Sequence, residues 1–251
     1  MLQVKILGYW GGFPVNGGGS SSYLIETDHS KILFDMGSAS AHELSQQIRY
    51  QDLDAIFLSH WHHDHSTDIF TYEHAWKVLL NNHHVDHKLK VFVPSLNDFT
   101  KHLKLNSLSL EVIEPNKIYY HKGISIQAVA VMHTIQCFGF KVNYESKLFF
   151  YTADTSYFSG LIDSCNQADL LICDATNFKG SNHSSGRGHM SPQEAICLAE
   201  QAQVKRVILS HLPSDIKLTQ EERKMNSRYP DEWVRLALSL IHISEPTRQV
   251  R

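Results

Sequence analysis

One segment of the chain carries closely spaced imidazoles and a carboxylate, His60-Trp61-His62-His63-Asp64-His65. It follows an apolar run at residues 55–58, which is typical of a short buried strand. In an extended segment, residues two apart point to the same side, so His60 and His62 are placed to bind one metal ion. Asp64 and His65 then face a neighbouring position. Imidazole and carboxylate ligands together suit zinc, so the segment predicts a zinc site.

Three further strand-like segments end in a residue that could bind metal. Residues 124–132 lead to His133, residues 148–151 lead to Asp154, and residues 204–209 lead to His211; these end residues are of metal-ligand type. Sites at the carboxyl ends of strands recur in proteins, because loops there vary over a rigid core. We expect two sheets with aligned strand ends to bring these residues together along one edge.

The pattern His-x-His-x-Asp-His after a buried strand resembles the signature of the metallo-β-lactamase superfamily, and the resemblance covers about residues 1–237. It implies a four-layer αββα sandwich of the α/β (α+β) class, in which two mixed sheets pack face to face with helices outside. The ligand set that it implies is His60, His62 and His133 for a first ion, Asp64, His65 and His211 for a second, and Asp154 as a bridge between them.

The implied cofactor is a pair of Zn²⁺ ions, with Mn²⁺ or iron as alternatives. Two Zn²⁺ ions, two carboxylates and a bridging hydroxide leave a charge of about +1, which favours an anionic substrate. The pair of ions can activate water and stabilise the attacking and leaving oxygens. Asp64, as one of their ligands, is also predicted to be a catalytic residue. Asp35, Asp68 and Asp174 are candidates for carboxylates that orient the imidazoles.

A second motif bears on the substrate. The segment Gly188-His189-Met190-Ser191 leads into a capping box with proline at the first helical position. It resembles the Gly-His-x-Ser/Thr segment of ribonuclease Z-like members, in which a histidine faces the scissile phosphate. His189 is therefore predicted to be a general acid or a phosphate-binding residue, near a helix N-terminus that favours anions. Arg187 is a second predicted substrate contact; the alternative for both residues is simple solvation.

The function that these features predict is a phosphodiesterase acting on RNA or on a small or cyclic nucleotide, with a metal-bridging hydroxide as nucleophile. The chain lacks the long basic arm of ribonuclease Z, and residues 212–215 lack its aromatic and arginine ending, which argues against a specific transfer-RNA activity. One alternative is a zinc hydrolase of a carboxylic ester, lactone or thioester. Another is a non-catalytic or iron-binding redox protein with the same ligands.

The composition limits the classes of protein to which the chain can belong. The 251 residues are 42% hydrophobic, which allows one sizeable domain or two small ones, and the resemblance implies a single domain over residues 1–237. The formal net charge of −3 gives no overall footprint for nucleic acid. Four cysteines without a Cys-x-x-Cys pair favour a reducing compartment. With a strand-like N-terminus and no run of about 18 apolar residues, we expect a cytoplasmic enzyme that does not span a membrane. A homodimer is one option that the sequence leaves open.

Three segments are set apart from the predicted site. The glycine-rich stretch 8–20 is predicted to be a mobile loop between strands, since it lacks the lysine and helix of a phosphate-binding loop. The histidine-rich stretch 81–88 is predicted to be a solvated turn, with an accessory metal site as the alternative. The tail 238–251 resembles a translated sequencing-library adapter and is predicted to be non-native.

Overall fold

A computed structural model describes residues 1–96, 100, 102–103, 105–178, 188–229 and 233–237. Arg187 and the tail 238–251 lie outside these residues. The helices with described bounds are α1 (Ser40–Gln47), α2 (His63–Ser66), α3 (Ile69–Asn81), α4 (Gly160–Cys165), α5 (Pro192–Gln201) and α6 (Leu218–Arg228). Among the described residues, none of these helices has the length and apolar character that crossing a bilayer requires.

The strands form two sheets that mix parallel and antiparallel pairs. The first sheet contains β1 (Gln3–Gly11), β2 (Gly19–Ser20), β3 (Ser22–Glu26), β4 (Lys31–Phe34), β5 (Ala55–Phe57), β6 (Leu89–Val93), β7 (Leu108–Val112) and β14 (Leu212–Pro213), in the order β14-β1-β3-β4-β5-β6-β7 with β2 beside β1. The second contains β8 (Ile118–His121), β9 (Ile124–Ala130), β10 (Phe138–Tyr144), β11 (Lys147–Tyr151), β12 (Leu170–Asp174), β13 (Val207–Ser210) and β15 (Val234–Leu236), in the order β15-β13-β12-β11-β10-β9-β8.

Strand β4 shows how the layers pack. Side chains alternate across a strand, so Ile32 and Phe34 face one way and Leu33 the other. Phe34 packs against Phe140 of the second sheet, with ring centroids 4.7 Å apart. Leu33 belongs to the separate apolar cluster beneath α1 and α3, while α5 packs outside β12 and β13. The predicted αββα sandwich is confirmed, with its main core between the two sheets.

The glycine-rich stretch differs from the prediction. Strand β1 continues to Gly11, whereas the sequence suggested a strand ending at Leu7, and Trp10 is fully buried. A Cβ atom on Gly8 would lie 1.8 Å from the carbonyl oxygen of Ser20, so only glycine allows β2 to approach this closely. The indole of Trp10 donates to the carbonyl of Val15 at 2.9 Å and fixes the following turn. The first part of the stretch is therefore a packed strand.

The predicted start of α5 is confirmed in detail. The hydroxyl oxygen of Ser191 accepts from the backbone N–H of Glu194 at 3.2 Å, and the Glu194 carboxylate accepts from the Ser191 backbone at 2.8 Å. This capping box satisfies two amides that a helix start otherwise leaves unpaired. It also fixes the direction in which the chain enters from His189.

Candidate metal centre

The site lies where strands of both sheets end. Residues just beyond β5, β9, β11 and β13 supply His60, His133, Asp154 and His211. Sharp turns at these ends appear in the backbone of Asp35, Ala153 and His211, which have φ of 57°, 53° and 52°. Such left-handed conformations are costly for residues other than glycine and persist only where the surrounding structure enforces them. The strand ends are therefore held in place by their neighbours.

A first group of donor atoms is formed by three imidazoles. His60 Nε2 lies 2.9 Å from His62 Nδ1, which lies 3.0 Å from His133 Nε2. Asp154 Oδ2 lies 3.6 Å from His60 Nε2 and 3.8 Å from His133 Nε2. These atoms, within 4.8 Å of one another, form a group of the size and type that holds a metal ion.

The other ring nitrogens decide which tautomers are present. His133 Nδ1 lies 2.8 Å from the carbonyl oxygen of Gly188, which can only accept. Ser59 donates its hydroxyl hydrogen to Asp35, so its oxygen accepts from His60 Nδ1 at 2.9 Å. Both Nε2 atoms consequently carry lone pairs directed towards His62, which is the state in which an imidazole nitrogen can bind a metal ion.

The protonation of this group supports the same arrangement. Burial lowers the pKa of His60 well below its usual value, and the nearby charge of His65 lowers it further. Burial also lowers the pKa of His62 and of His133. Neutral imidazole is the form that binds metal.

A second group of donor atoms lies on the other side of Asp154. Asp64 Oδ2 is 3.1 Å from His211 Nε2, and Asp154 contacts His65 Nε2 at 3.2 Å and His211 Nε2 at 3.3 Å. In the described part of the chain, His65 Nε2 and Asp154 Oδ1 are buried without a hydrogen-bond partner. A buried polar atom left unpaired costs about 1–3 kcal/mol, so this pair of orphaned atoms fits a bound metal ion.

The charges around the second group also favour a cation. Burial lowers the pKa of His65, but the negative charges of Asp154 and Asp35 outweigh it and raise that pKa well above its usual value. Burial raises the pKa of Asp154, yet the charges of His211 and His65 hold it well below the ordinary carboxyl range. A pocket that attracts a proton this strongly also attracts a metal ion, and all seven predicted ligands belong to candidate metal groups.

Asp35 is the carboxylate that organises the first sheet's ligands. It accepts from the backbone N–H of Ser59 at 2.7 Å, the Ser59 hydroxyl at 2.8 Å and the Tyr151 hydroxyl at 2.8 Å. His65 Nδ1 lies 2.8 Å from the same carboxylate. Asp35 was a predicted orienting carboxylate, whereas Ser59 and Tyr151 were missed, because no sequence spacing links Tyr151 to residue 35.

The other two predicted orienting carboxylates, Asp174 and Asp68, have different positions: only Asp174 contacts histidines of the site. Asp174 Oδ2 lies 2.9 Å from His189 Nδ1, and Asp174 Oδ1 accepts from the Thr176 hydroxyl, whose oxygen is 2.6 Å from His211 Nδ1. Asp68 instead accepts from the backbone N–H of Ala41 at 2.9 Å. Its prediction was wrong, since this carboxylate satisfies the free amides at the start of α1.

Glycines allow the chain to approach the ligands closely. A Cβ atom on Gly11 would lie 2.7 Å from the His211 ring, and one on Gly188 would lie 2.6 Å from His133 Nδ1. The backbone N–H of Gly12 donates to Asp64 Oδ2 at 2.8 Å. The glycine-rich stretch signalled the contacts of Gly11 and Gly12, and the Gly-His-x-Ser segment signalled that of Gly188, but neither showed which ligand each glycine faces.

His189 closes one side of a cleft over the two groups. The cleft has a volume of about 490 Å³ and its lining includes Phe13, His62, Asp64, His189, Pro213 and Asp215. Burial lowers the pKa of His189, but its hydrogen bond with Asp174 and that residue's charge outweigh this and raise the pKa to about 9. The structure thus brings the predicted His189 to the site, while the predicted Arg187 lies outside the described residues.

The histidines of stretch 81–88 do not join the site. His83, His84 and His87 are exposed, and His87 Nδ1 contacts Asp86 at 2.9 Å. The candidate metal groups found among the described residues contain none of these histidines.

Two facing mixed sheets with a cluster of histidines and aspartates at their common edge define a metallo-hydrolase of the β-lactamase fold. The model of the Beta-lactamase superfamily domain matches residues 30–212. The chain therefore belongs to the β-lactamase superfamily.

Known relatives agree with this family over most of the chain. It is 29% identical to "Probable metallo-hydrolase YhfI" of Bacillus subtilis, over 84% of this chain and 87% of that one. It is 22% identical to a Ribonuclease Z of Sulfolobus acidocaldarius, over 88% of this chain and 91% of that one. The crystal structure of YhfI from Bacillus subtilis superposes with a TM-score of 0.88 at 26% identity, covering 96% of this chain and 98% of that chain.

Proposed function

We propose that the chain is a dinuclear zinc-dependent phosphodiesterase acting on a small or cyclic nucleotide or a similar small diester. The observation that carries the proposal is the pairing of two donor groups around Asp154 with His189, whose ring offers a nitrogen within 4.8 Å of Asp154 and His211 in the same cleft. The sequence similarity to a ribonuclease Z supports phosphodiester chemistry.

The ligands would be His60, His62 and His133 for one ion and Asp64, His65 and His211 for the other, with Asp154 shared. Two Zn²⁺ ions bound there would lower the pKa of water and stabilise negative charge on phosphoryl oxygens. The chain's own contribution is orientation, because outer partners hold four of the imidazoles by their Nδ1 atoms.

His189 would supply a proton to the leaving oxygen. Its Nδ1 is engaged by Asp174 at 2.9 Å, so Nε2 is the nitrogen left to act on the substrate. Although burial lowers it, the hydrogen bond with Asp174 raises the pKa of His189 to about 9, which favours the protonated form that a proton donor needs. The same positive charge also attracts the diester anion.

The lining of the cleft favours a small diester over a long RNA. Among the described residues that line it there is no lysine or arginine, and Asp215 lies at its edge. RNA chains are usually bound by several such cations, which neutralise successive phosphates. Phe13, 61% exposed, instead offers an aromatic face on which a base or other ring can stack.

The test is hydrolysis of bis(p-nitrophenyl) phosphate and of cyclic nucleotides, with and without a chelator. We expect turnover that chelation abolishes and that Zn²⁺ restores. His189→Ala should impair diesters with poor alkoxide leaving groups more than the nitrophenyl diester, because only the former need a proton. Equal losses would contradict the proton-donor role and leave phosphate binding as the function of His189.

A second candidate function is hydrolysis of a carboxylic ester, lactone or thioester. The observation that favours it is the same lining, which is partly apolar at Phe13 and Pro213 and lacks lysine and arginine among the described residues. Chelator-sensitive turnover of a lactone or thioester, without turnover of any diester, would establish this candidate and refute the first.

A further inference from the structure

Two fully buried tyrosines cross the space between the sheets in opposite directions. Tyr23 belongs to β3 of the first sheet and Tyr151 ends β11 of the second, and their ring centroids lie 4.6 Å apart at an interplanar angle of 49°. The Tyr151 hydroxyl donates to Asp35, just beyond β4 of the first sheet, at 2.8 Å. The Tyr23 hydroxyl shares a 2.6 Å hydrogen bond with Ser210, the last residue of β13 in the second sheet.

Each hydroxyl reaches a residue that supports metal ligands of the opposite sheet. Asp35 lies 2.8 Å from His65 Nδ1 and accepts from Ser59, whose oxygen contacts His60 Nδ1. Ser210 directly precedes His211 in the chain. The two tyrosines therefore connect the ligand-bearing ends of the first sheet with those of the second.

This connection is significant because the two ligand groups each draw on both sheets. His60 and His62 follow β5 of the first sheet, whereas His133, which completes their group, follows β9 of the second. A small slide of one sheet over the other would separate the donor atoms of both groups. Interlocked aromatic rings with fixed hydroxyl partners resist such a slide.

The hydroxyls are suited to a fixed role. Burial raises the pKa of Tyr151 well above its usual value, and the charge of Asp35 raises it further. Burial also raises the pKa of Tyr23. Both side chains therefore stay neutral and keep the hydrogen that their bonds require.

We propose that Tyr23 and Tyr151 are positioning residues that hold the two sheets' metal ligands at the separation required for binding. The proposal rests on the proposed metal site and adds to it a pair of residues that touch neither metal nor substrate. Of the two, Tyr151 should matter more, because its partner Asp35 supports ligands of both groups.

The experiment titrates the metal-free chain with Co²⁺ and Zn²⁺ against a competing chelator, following the visible absorption of Co²⁺. Tyr151→Phe keeps the ring and removes only the hydroxyl. We expect about 10- to 100-fold weaker metal binding and an altered Co²⁺ spectrum, as for other residues that orient ligands. Tyr23→Phe and Ser210→Ala, which delete opposite ends of one hydrogen bond, should show equal and smaller losses.

A matched control separates positioning from general stability. Tyr72 is also fully buried and donates its hydroxyl to the backbone carbonyl of Tyr50 at 2.7 Å, within the helical layer. Tyr72→Phe should lower the melting temperature about as much as Tyr151→Phe and leave metal affinity unchanged. If Tyr23→Phe and Tyr151→Phe both bind Co²⁺ as the wild type does, the positioning role is overturned. A wild-type chain that binds no metal would refute the proposed function itself, and this outcome is seen before any variant is compared.

Discussion

Two stretches of this chain are rich in histidine, and the structure treats them in opposite ways. Residues 60–65 lie at a strand end where His60 and His65 are fully buried. The histidines at 83, 84 and 87 are exposed after α3 and belong to no candidate metal group found among the described residues. Both stretches combine imidazoles with an aspartate, so composition alone does not separate them.

The difference lies in what surrounds the imidazoles. His60, His65, His133 and His211 each have Nδ1 held by a partner, which directs the Nε2 lone pair towards Asp154 and the neighbouring ligands. The Nδ1 atom of His87 instead contacts the sequence neighbour Asp86, whose side chain is 99% exposed. A metal site is therefore defined by the outer hydrogen bonds and by burial, more than by local histidine density.

The largest effect is expected from removing Asp154, the predicted ligand that the two donor groups share. Asp154→Ala should lose bound metal and reduce diester hydrolysis to the level of the chelated enzyme, because this carboxylate lies 3.2–3.6 Å from donor atoms of both groups. Elemental analysis and bis(p-nitrophenyl) phosphate hydrolysis measure the two quantities. Asp86→Ala is the matched control in the exposed stretch and should change neither. Metal retained in Asp154→Ala would show that the carboxylate is no ligand.

The next effect concerns catalysis without metal loss. His189→Ala should lower kcat about 10²- to 10⁴-fold, the usual contribution of a general acid, while metal content stays at the wild-type level. Its Nδ1 is held by Asp174. His84→Ala serves as the control imidazole and should be indistinguishable from wild type. Loss of metal from His189→Ala would mean that His189 is itself a ligand.

A smaller effect tests the outer hydrogen bonds directly. Asp35→Asn should weaken metal binding about 10- to 100-fold, because the amide cannot accept from all the donors around Asp35. Asp68→Asn is the comparison, since that carboxylate meets the start of α1. It should change the unfolding free energy by no more than about 1 kcal/mol without changing metal affinity, because the asparagine oxygen can still accept from the amides there. Chelator competition and thermal denaturation distinguish the two variants, and equal metal affinities would contradict the role of Asp35.

The smallest effect is expected in the exposed stretch. Replacing His83, His84 and His87 together by alanine should leave activity unchanged and alter stability by no more than about 0.5 kcal/mol, as is usual for surface positions. Metal stoichiometry and the melting temperature check this. A stoichiometry that falls by one ion would reveal an accessory site and remove the contrast between the two stretches.

The candidate ligand positions could be predicted because they lie in segments that follow strands with local patterns and because they match the motif that the chain resembles. Residues 55–58 and 148–151 show the apolar and β-favouring types of buried strands, and the ends of neighbouring strands meet at one edge. The Ser191 capping box was equally visible, since its partners are three residues apart. These signals depend on short-range spacing, which a single sequence contains.

The supporting residues could not be predicted in the same way. Tyr151 meets Asp35 across 116 positions, and Gly188 accepts from a histidine 55 positions away. Such contacts are set by how the two sheets pack, which no local pattern encodes. The incorrect role of Asp68 has the same origin, because its nearness to His65 in sequence hid the fact that it points to the start of α1.

The most direct test of the central claim is anomalous diffraction at the zinc absorption edge from crystals of the zinc-loaded chain. We expect two peaks, one beside His60, His62 and His133 and one beside Asp64, His65 and His211, with Asp154 between them. A map with no peak at these residues, or with its only peak at residues 83–87, would contradict it.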